Sequence, residues 1–183
     1  MAGTLKRLER KTVYSGKILD FCRDTVELPN GKTEEWDFLH HRKGGGAAVV
    51  PVLSDGRLLM IRQYRPAVGR ETLELPAGAK DTGEDAAVTA ARELREETGY
   101  LAKKFTFLTA LDTAVAYCDE RTEIYLAEEL SAEYEQELDE AESIRIEKLE
   151  LKELLMRIRR GEITDAKTVA GICAYAAMYL EKI

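Results

Sequence analysis

Three glutamates, Glu93, Glu96 and Glu97, stand in a segment where Ala87, Ala91, Leu94 and Thr98 recur at helical spacing. At about 100° per residue the three carboxylates fall within roughly 100° of arc, and the Ala87, Ala91, Leu94 stripe lies about a quarter-turn away. The spacing predicts a helix over residues 84–98 that packs one face and presents carboxylates on the next. Thr82 and Asp85 have capping-box spacing at its start, and Gly99 is a stop signal at its end. Like charges so arranged repel by roughly a few tenths of a kcal/mol per pair, so solvent or bound cations must offset the cost. Taken alone, a glutamate-rich helix is an ordinary solvated one, with Arg92 and Glu96 as an i,i+4 ion pair.

The flanking residues change that reading. From Gly78 onward the segment GAKDTGEDAAVTAARELREETGY places Gly78, Glu84, Arg92, Glu93, Leu94, Glu96, Glu97, Gly99 and Tyr100 on the pattern G-x5-E-x7-R-E-U-x-E-E-x-G-U, with U a bulky apolar residue. Nine specified positions within 23 residues make this far more specific than a short glycine motif. The segment resembles the Nudix box, the signature of a family of metal-dependent pyrophosphohydrolases. The resemblance implies Mg2+ as cofactor, with Mn2+ as a substitute. Such a hard cation takes oxygen ligands and keeps several waters, so two or three carboxylates suffice when substrate phosphates complete the shell. Glu93 and Glu97 are the first-choice ligands by this resemblance, the backbone carbonyl of Ala77 joins them, and Glu96 ligates or stays close by. Arg92 orients the carboxylates. Glu84 is read as a structural residue that suits the positive end of the helix dipole and, by resemblance, pairs with Arg92 or shares in metal binding.

The likeness extends over nearly the whole chain. Gln63-Tyr64-Arg65-Pro66 and the stretch ETLELPAG at residues 71–78 resemble the ADP-ribose pyrophosphatase subgroup. That implies a substrate-binding set of Arg65, Trp36 and Glu74. A guanidinium is always charged and forks onto phosphate oxygens, which suits Arg65, although a plain surface arginine after a strand is the bland alternative. Trp36, the only tryptophan, would stack on adenine for roughly 1 to 3 kcal/mol, or would be a buried core residue. The acidic run at residues 137–144 resembles the loop that supplies the general base and a further metal ligand, with Glu140 and Glu142 as candidates; its plain reading is a solvated, mobile acidic loop. Around Asp119 and Glu120 the chain lacks the proline and glycine that members of the subgroup carry.

The implied reaction is Mg2+-dependent hydrolysis of the pyrophosphate bond of ADP-ribose to AMP and ribose 5-phosphate, with Arg92, Glu93, Glu140 and Glu142 in the catalytic machinery. GDP-mannose, UDP-glucose or NADH as substrate, or a nucleotide-sugar-sensing module that does not cut, stand as alternatives. The region 11–41 resembles the N-terminal sheet through which members of the subgroup form homodimers.

These residues need a scaffold. The expected fold is α/β: a Nudix fold, an α/β/α sandwich with a mixed β-sheet, plus an antiparallel N-terminal β-sheet region. Residues 1–43 form that dimerisation region and 44–183 the hydrolase domain. Strand patterns cover residues 17–23, 25–28 and 33–39, the latter two joined by a Pro29-Asn30-Gly31 turn, then 47–53, 57–64 and 72–75. Pro76-Ala77-Gly78 reads as a loop. Later strands are predicted at 105–111, 122–127 and 144–149, and helices at 151–160 and 165–180.

Composition fits one domain: 183 residues at 45% hydrophobic content bury one substantial core. A net charge of −7 excludes a nonspecific nucleic-acid binder, which needs a basic surface. No apolar run approaches the roughly 18 residues of a membrane span, so a soluble, cytoplasmic protein is expected. Cys22, Cys118 and Cys173 lie far apart and suggest neither disulfides nor a zinc cluster. Adjacent His40 and His41 point to opposite faces of a strand and lack partner spacing for a metal site.

Overall fold

The computed structural model describes residues 4–138 and 143–180. The chain divides into two compact units, Met1–Gly45 with Asp112–Arg121, and Gly46–Leu111 with Thr122–Ile183.

In the first unit β1 (Lys6–Ser15), β2 (Leu19–Glu27) and β3 (Thr33–His41) form an antiparallel sheet in sequence order. β1 is a strand that the sequence reading does not anticipate. It leaves Leu8 and Val13 about half exposed, so pairing with β2 rather than burial of one face defines it, and no periodic pattern announces it. The β2–β3 turn spans Pro29, Asn30 and Gly31: Leu28 N–H donates to the Lys32 carbonyl at 2.7 Å and Gly31 adopts a φ of 80°. A left-handed residue closing a three-residue loop is what the Asn-Gly step permits. His41, buried, accepts the Gly45 N–H on its Nδ1 at 2.9 Å and so holds the turn that follows β3.

The second unit carries β4 (Gly45–Pro51), β5 (Leu58–Arg65), β6 (Arg70–Glu74), β7 (Ala77–Ala79), α1 (Ala86–Thr98), β8 (Tyr100–Asp112), β9 (Arg121–Ala132), β10 (Arg145–Leu149), α2 (Leu151–Arg159) and α3 (Ala166–Leu180). Its strands make two sheets, in the orders β10-β5-β6 and β7-β4-β9-β8. Alternation along β4 and β5 divides the interior between the helices. Ala48, Val50, Leu58 and Met60 join Leu154 of α2 and Ile172 of α3, while Ala47, Val49 and Leu59 meet Ala86, Ala90 and Leu94 of α1. This is the expected α/β/α sandwich with a mixed sheet.

The segment expected as a loop at Pro76-Ala77-Gly78 is in part β7, which pairs antiparallel with β4 through Ala48 and Ala77, and Ala47 and Gly78. A strand of three residues is too short to show a period of two, so only the pairing reveals it. Among the described residues no helix is long and apolar enough to cross a membrane.

Candidate active site

α1 begins later than its pattern suggests. Its cap is Asp85, not Thr82: the Asp85 side chain accepts the Ala87 N–H at 2.8 Å, a donor left without an intrahelical partner in the first turn. At the other end Gly99 is left-handed with φ 73°, and its N–H closes onto the Arg95 carbonyl at 2.8 Å. The buried stripe is Ala86, Thr89, Ala90, Leu94, Glu97 and Thr98, rather than one running through Ala87 and Ala91. The helix is therefore turned further than the apolar periodicity implies, and Glu97 faces inward at 3% exposure. A buried carboxylate needs donors, and the backbone N–H of Ala77, at the start of β7, supplies one at 2.9 Å.

Arg92 organises the other carboxylates. Its Nη1 donates to Glu93 at 2.6 Å and to Glu96 at 3.0 Å, while Nε and Nη2 each reach Glu84 at 3.2 Å and Nη2 also reaches the Ala79 carbonyl at 3.2 Å. The three-way pairing holds the guanidinium charged well above its ordinary range. In return Arg92, the Asp81 N–H and the Thr89 hydroxyl hold the Glu84 carboxyl down to about 2. Glu84 is thus tied to the start of α1 and to Arg92, the pairing that its position in the box suggests.

Gly78 makes room for the end of the Glu93 side chain. A Cβ built there would lie 2.0 Å from the Glu93 Oε1, so the missing side chain is the space that the Glu93 carboxylate occupies. Glu93 and Glu97 thereby flank the two ends of one dipeptide, Ala77-Gly78, which joins the carboxylate helix to β7.

On β5 and β6, Arg65 donates through Nε and Nη2 to the two oxygens of Glu74 at 2.8 and 2.7 Å. Its side chain stays 41% exposed while that of Glu74 is 2% exposed. Hydrogen bonding to Glu74 raises the Arg65 pKa against the opposing effect of burial. Lys167, from the first turn of α3, donates to Glu74 at 2.5 Å.

The chain beyond β9 is fastened to the same helix. Glu137 N–H donates to the Glu96 carbonyl at 2.9 Å, Arg95 reaches the Glu137 carboxylate at 2.9 Å, and Gln136 Nε2 bridges the carbonyls of Glu97 and Ile144 at 2.5 and 3.4 Å. Glu140 and Glu142 themselves lie outside the described residues. Neither Gln136 nor Lys167 carries a local signature in the sequence, because each acts on residues 39 or 93 positions away. In the first unit, Trp36 is half-buried on β3, with Nε1 donating to Glu34 at 3.1 Å and its ring tilted against Phe38 at 6.4 Å.

The donor set suits a hard divalent cation, since Glu93, Glu96, Glu97 and the backbone near Ala77 offer only oxygens as ligands. Among the described residues no three His, Cys, Asp or Glu side chains stand in a ready-made metal constellation. Arg92 draws Glu93 and Glu96 to itself and the Ala77 N–H engages Glu97, so the carboxylates are paired within the protein. Side-chain rotation of Glu93 and Glu96 away from Arg92 would free those oxygens without disturbing the helix.

Comparison with known proteins decides the family. The sequence profile of the NUDIX domain matches residues 42–170. The chain belongs to the Nudix family of hydrolases. Among its Nudix relatives, an ADP-ribose pyrophosphatase of Bacillus subtilis is 41% identical, the match covering 97% of this chain and 95% of that protein. A methanol dehydrogenase activator of Bacillus methanolicus is 36% identical over 91% and 90%, and an ADP-ribose pyrophosphatase of Mycobacterium tuberculosis is 35% identical over 93% and 83%. The crystal structure of an ADP compounds hydrolase superposes with a TM-score of 0.85 over 100% of this chain and 97% of that one; at 22% identity it shows that the Nudix fold is shared.

Proposed function

We propose that this Nudix hydrolase cleaves the pyrophosphate linkage of a nucleoside diphosphate sugar, ADP-ribose above all, releasing AMP and ribose 5-phosphate with Mg2+ as cofactor. The observation that carries the reading is the arrangement of the box residues on α1 and β7: Arg92 gathers Glu84, Glu93 and Glu96, and Glu97 accepts the Ala77 N–H, so oxygen ligands suited to a divalent cation line one helix beside the strand that carries Gly78. The likeness, over more than nine-tenths of this chain, to two proteins named ADP-ribose pyrophosphatase favours that substrate over other nucleotides.

In this reading Glu93, Glu96, Glu97, the Ala77 carbonyl and Glu142 hold the cation. Bound there, Mg2+ would neutralise the diphosphate and make a water more acidic. Arg92 keeps Glu93 and Glu96 aligned and shields their mutual repulsion until the cation replaces it. Glu140 takes the proton of the attacking water, and Glu142 is the other candidate for that role. Gln136 donates to the carbonyls of Glu97 and Ile144, which ties two described residues on either side of these glutamates in sequence to the end of α1. Arg65 forks onto the diphosphate, and the flat ring of Trp36 stacks on the adenine. Residues 44–183 serve as the hydrolase domain and 1–43 as a dimerisation region, for which the exposed Leu8, Val13 and Tyr14 of β1 offer apolar surface.

The relative named as a methanol dehydrogenase activator supports a second reading, in which a Nudix chain of this length acts on a partner protein. Incubation with ADP-ribose, GDP-mannose, UDP-glucose, NADH and 8-oxo-dGTP, with and without Mg2+, and with Glu97→Gln alongside, separates the two. AMP and ribose 5-phosphate from ADP-ribose, lost on chelation and in the variant, is the expected result. Binding of a nucleotide sugar without cleavage would sink the enzymatic reading. Light scattering of the full chain tests the dimer.

A further inference from the structure

Glu74 is the most enclosed charge near Arg65, and every direction in which its carboxylate can accept is filled by protein. Oε1 receives Arg65 Nε at 2.8 Å and the Thr72 hydroxyl at 2.6 Å; Oε2 receives Arg65 Nη2 at 2.7 Å and Lys167 Nζ at 2.5 Å. An ionised carboxylate offers about four lone-pair positions, and four donors occupy them. No acceptor remains for a ligand, and at 2% exposure none could reach it.

What the arrangement does is fix Arg65. Two parallel N–H···O bonds set the plane of the guanidinium, and Nη1 is left out of the pairing with Glu74 on a side chain that stays 41% exposed. Lys167 is fixed in turn. Asp165 caps α3 by accepting the Thr168 N–H at 3.0 Å and also accepts from Lys167 at 3.0 Å, and the Thr168 hydroxyl accepts the Leu75 N–H at 2.9 Å. The first turn of α3 is therefore pinned to the residue after Glu74, and Lys167 closes the fourth side of the carboxylate from there.

We propose that Glu74, Thr72 and Lys167 are positioning residues that hold Arg65 in the orientation in which it reads the substrate diphosphate. The inference rests on the placement of Arg65 in the substrate site. Glu74 takes its part through Arg65 and not by contact with the substrate. A long arginine left to rotate freely would lose side-chain entropy on each binding event; a clamped one has lost it already, so the gain appears in substrate affinity.

The test is a double-mutant cycle on the full chain, with KM and kcat measured on whichever nucleoside diphosphate sugar the wild type cuts and thermal unfolding measured alongside. Lys167→Met should raise KM about three- to tenfold with a smaller effect on kcat, and Thr72→Val should move KM in the same direction. Glu74→Gln, which sets an NH2 against the arginine and lysine donors, should raise it further. In an Arg65→Ala background Lys167→Met should add nothing to KM while still lowering the melting temperature. A Lys167→Met variant that unfolds earlier but keeps the wild-type KM, or that shifts KM equally with and without Arg65, would overturn the inference and leave Arg65 as a substrate contact. An Arg65→Ala variant with unchanged KM would overturn the placement of Arg65 and the inference together.

Discussion

The Glu97 carboxylate accepts the backbone N–H of Ala77 at 2.9 Å, so a residue on the carboxylate helix directly fixes the strand that carries the box glycine. Chemistry and folding can be separated at this contact. A Gln at position 97 keeps an oxygen that accepts the Ala77 N–H but loses the negative charge. Glu97→Gln should therefore retain a melting temperature close to wild type while activity drops by roughly 100-fold or more. Glu97→Ala leaves the partly buried Ala77 N–H unpaired, which costs up to about 1–3 kcal/mol, and should fall on both measures. Differential scanning calorimetry with a product assay checks the pair of variants; equal losses of stability would show that charge at position 97 serves the fold.

Gly78→Ala introduces a methyl where the Glu93 oxygen sits, 2.0 Å from the built Cβ. The clash is with the end of a side chain, which can swing aside, so the fold should survive. Glu93 would then leave its place beside β7. The expected outcome is a Mg2+ requirement raised by about 10- to 100-fold with little change in unfolding temperature. A variant with normal Mg2+ activation would show that Glu93 works from another position.

Acid should weaken the protein through Glu74 in a defined window. Burial pushes this carboxyl up, and Arg65, Lys167 and Thr72 outweigh burial, bringing it from 4.5 down to about 2. A folded-state pKa below the unfolded value stabilises at pH above the unfolded pKa, and the contribution disappears as pH falls through the folded one. Stability should decline between about pH 5 and pH 2, by on the order of 3 kcal/mol from this group. Glu84, also lowered to about 2, acts with the same sign. Urea denaturation of wild type and Glu74→Gln across this range is the check: the variant should start less stable and lose less on acidification. Parallel curves would deny Glu74 that part.

How far these features can be read from sequence depends on how local they are. The carboxylate face of α1 is legible because Gly78, Arg92, Glu93, Glu96 and Glu97 lie within 23 residues and their spacing survives without a fold. The orientation of the helix is less so. Alanines at 86, 87, 90 and 91 fit two adjacent stripes equally well, and only contact with Ala47, Val49 and Leu59 selects the one through Ala86 and Ala90. Choosing Thr82 over Asp85 as cap follows from the same limit, since both are good cap residues and the true start of the helix is set by packing. The clamp on Arg65 is illegible for another reason: Lys167 meets Glu74 across 93 residues, and nothing near either position marks the other.

Trp36 gives a direct optical test of substrate binding, because it is the only tryptophan in the chain. Its indole N–H is already satisfied by Glu34, and its ring is half-buried, so the remaining ring surface is free to meet a flat partner. A base stacked on that surface should quench its fluorescence. Stacking worth roughly 1–3 kcal/mol predicts that Trp36→Ala raises KM by about 5- to 150-fold, while Trp36→Phe, which keeps a π-face, recovers most of the loss. The effect should follow the base and not the sugar: AMP and ADP-ribose should quench alike, and ribose 5-phosphate should not quench at all. Quenching by ribose 5-phosphate, or an unchanged KM in Trp36→Ala, would assign the adenine to a different surface and leave Trp36 as packing against Phe38.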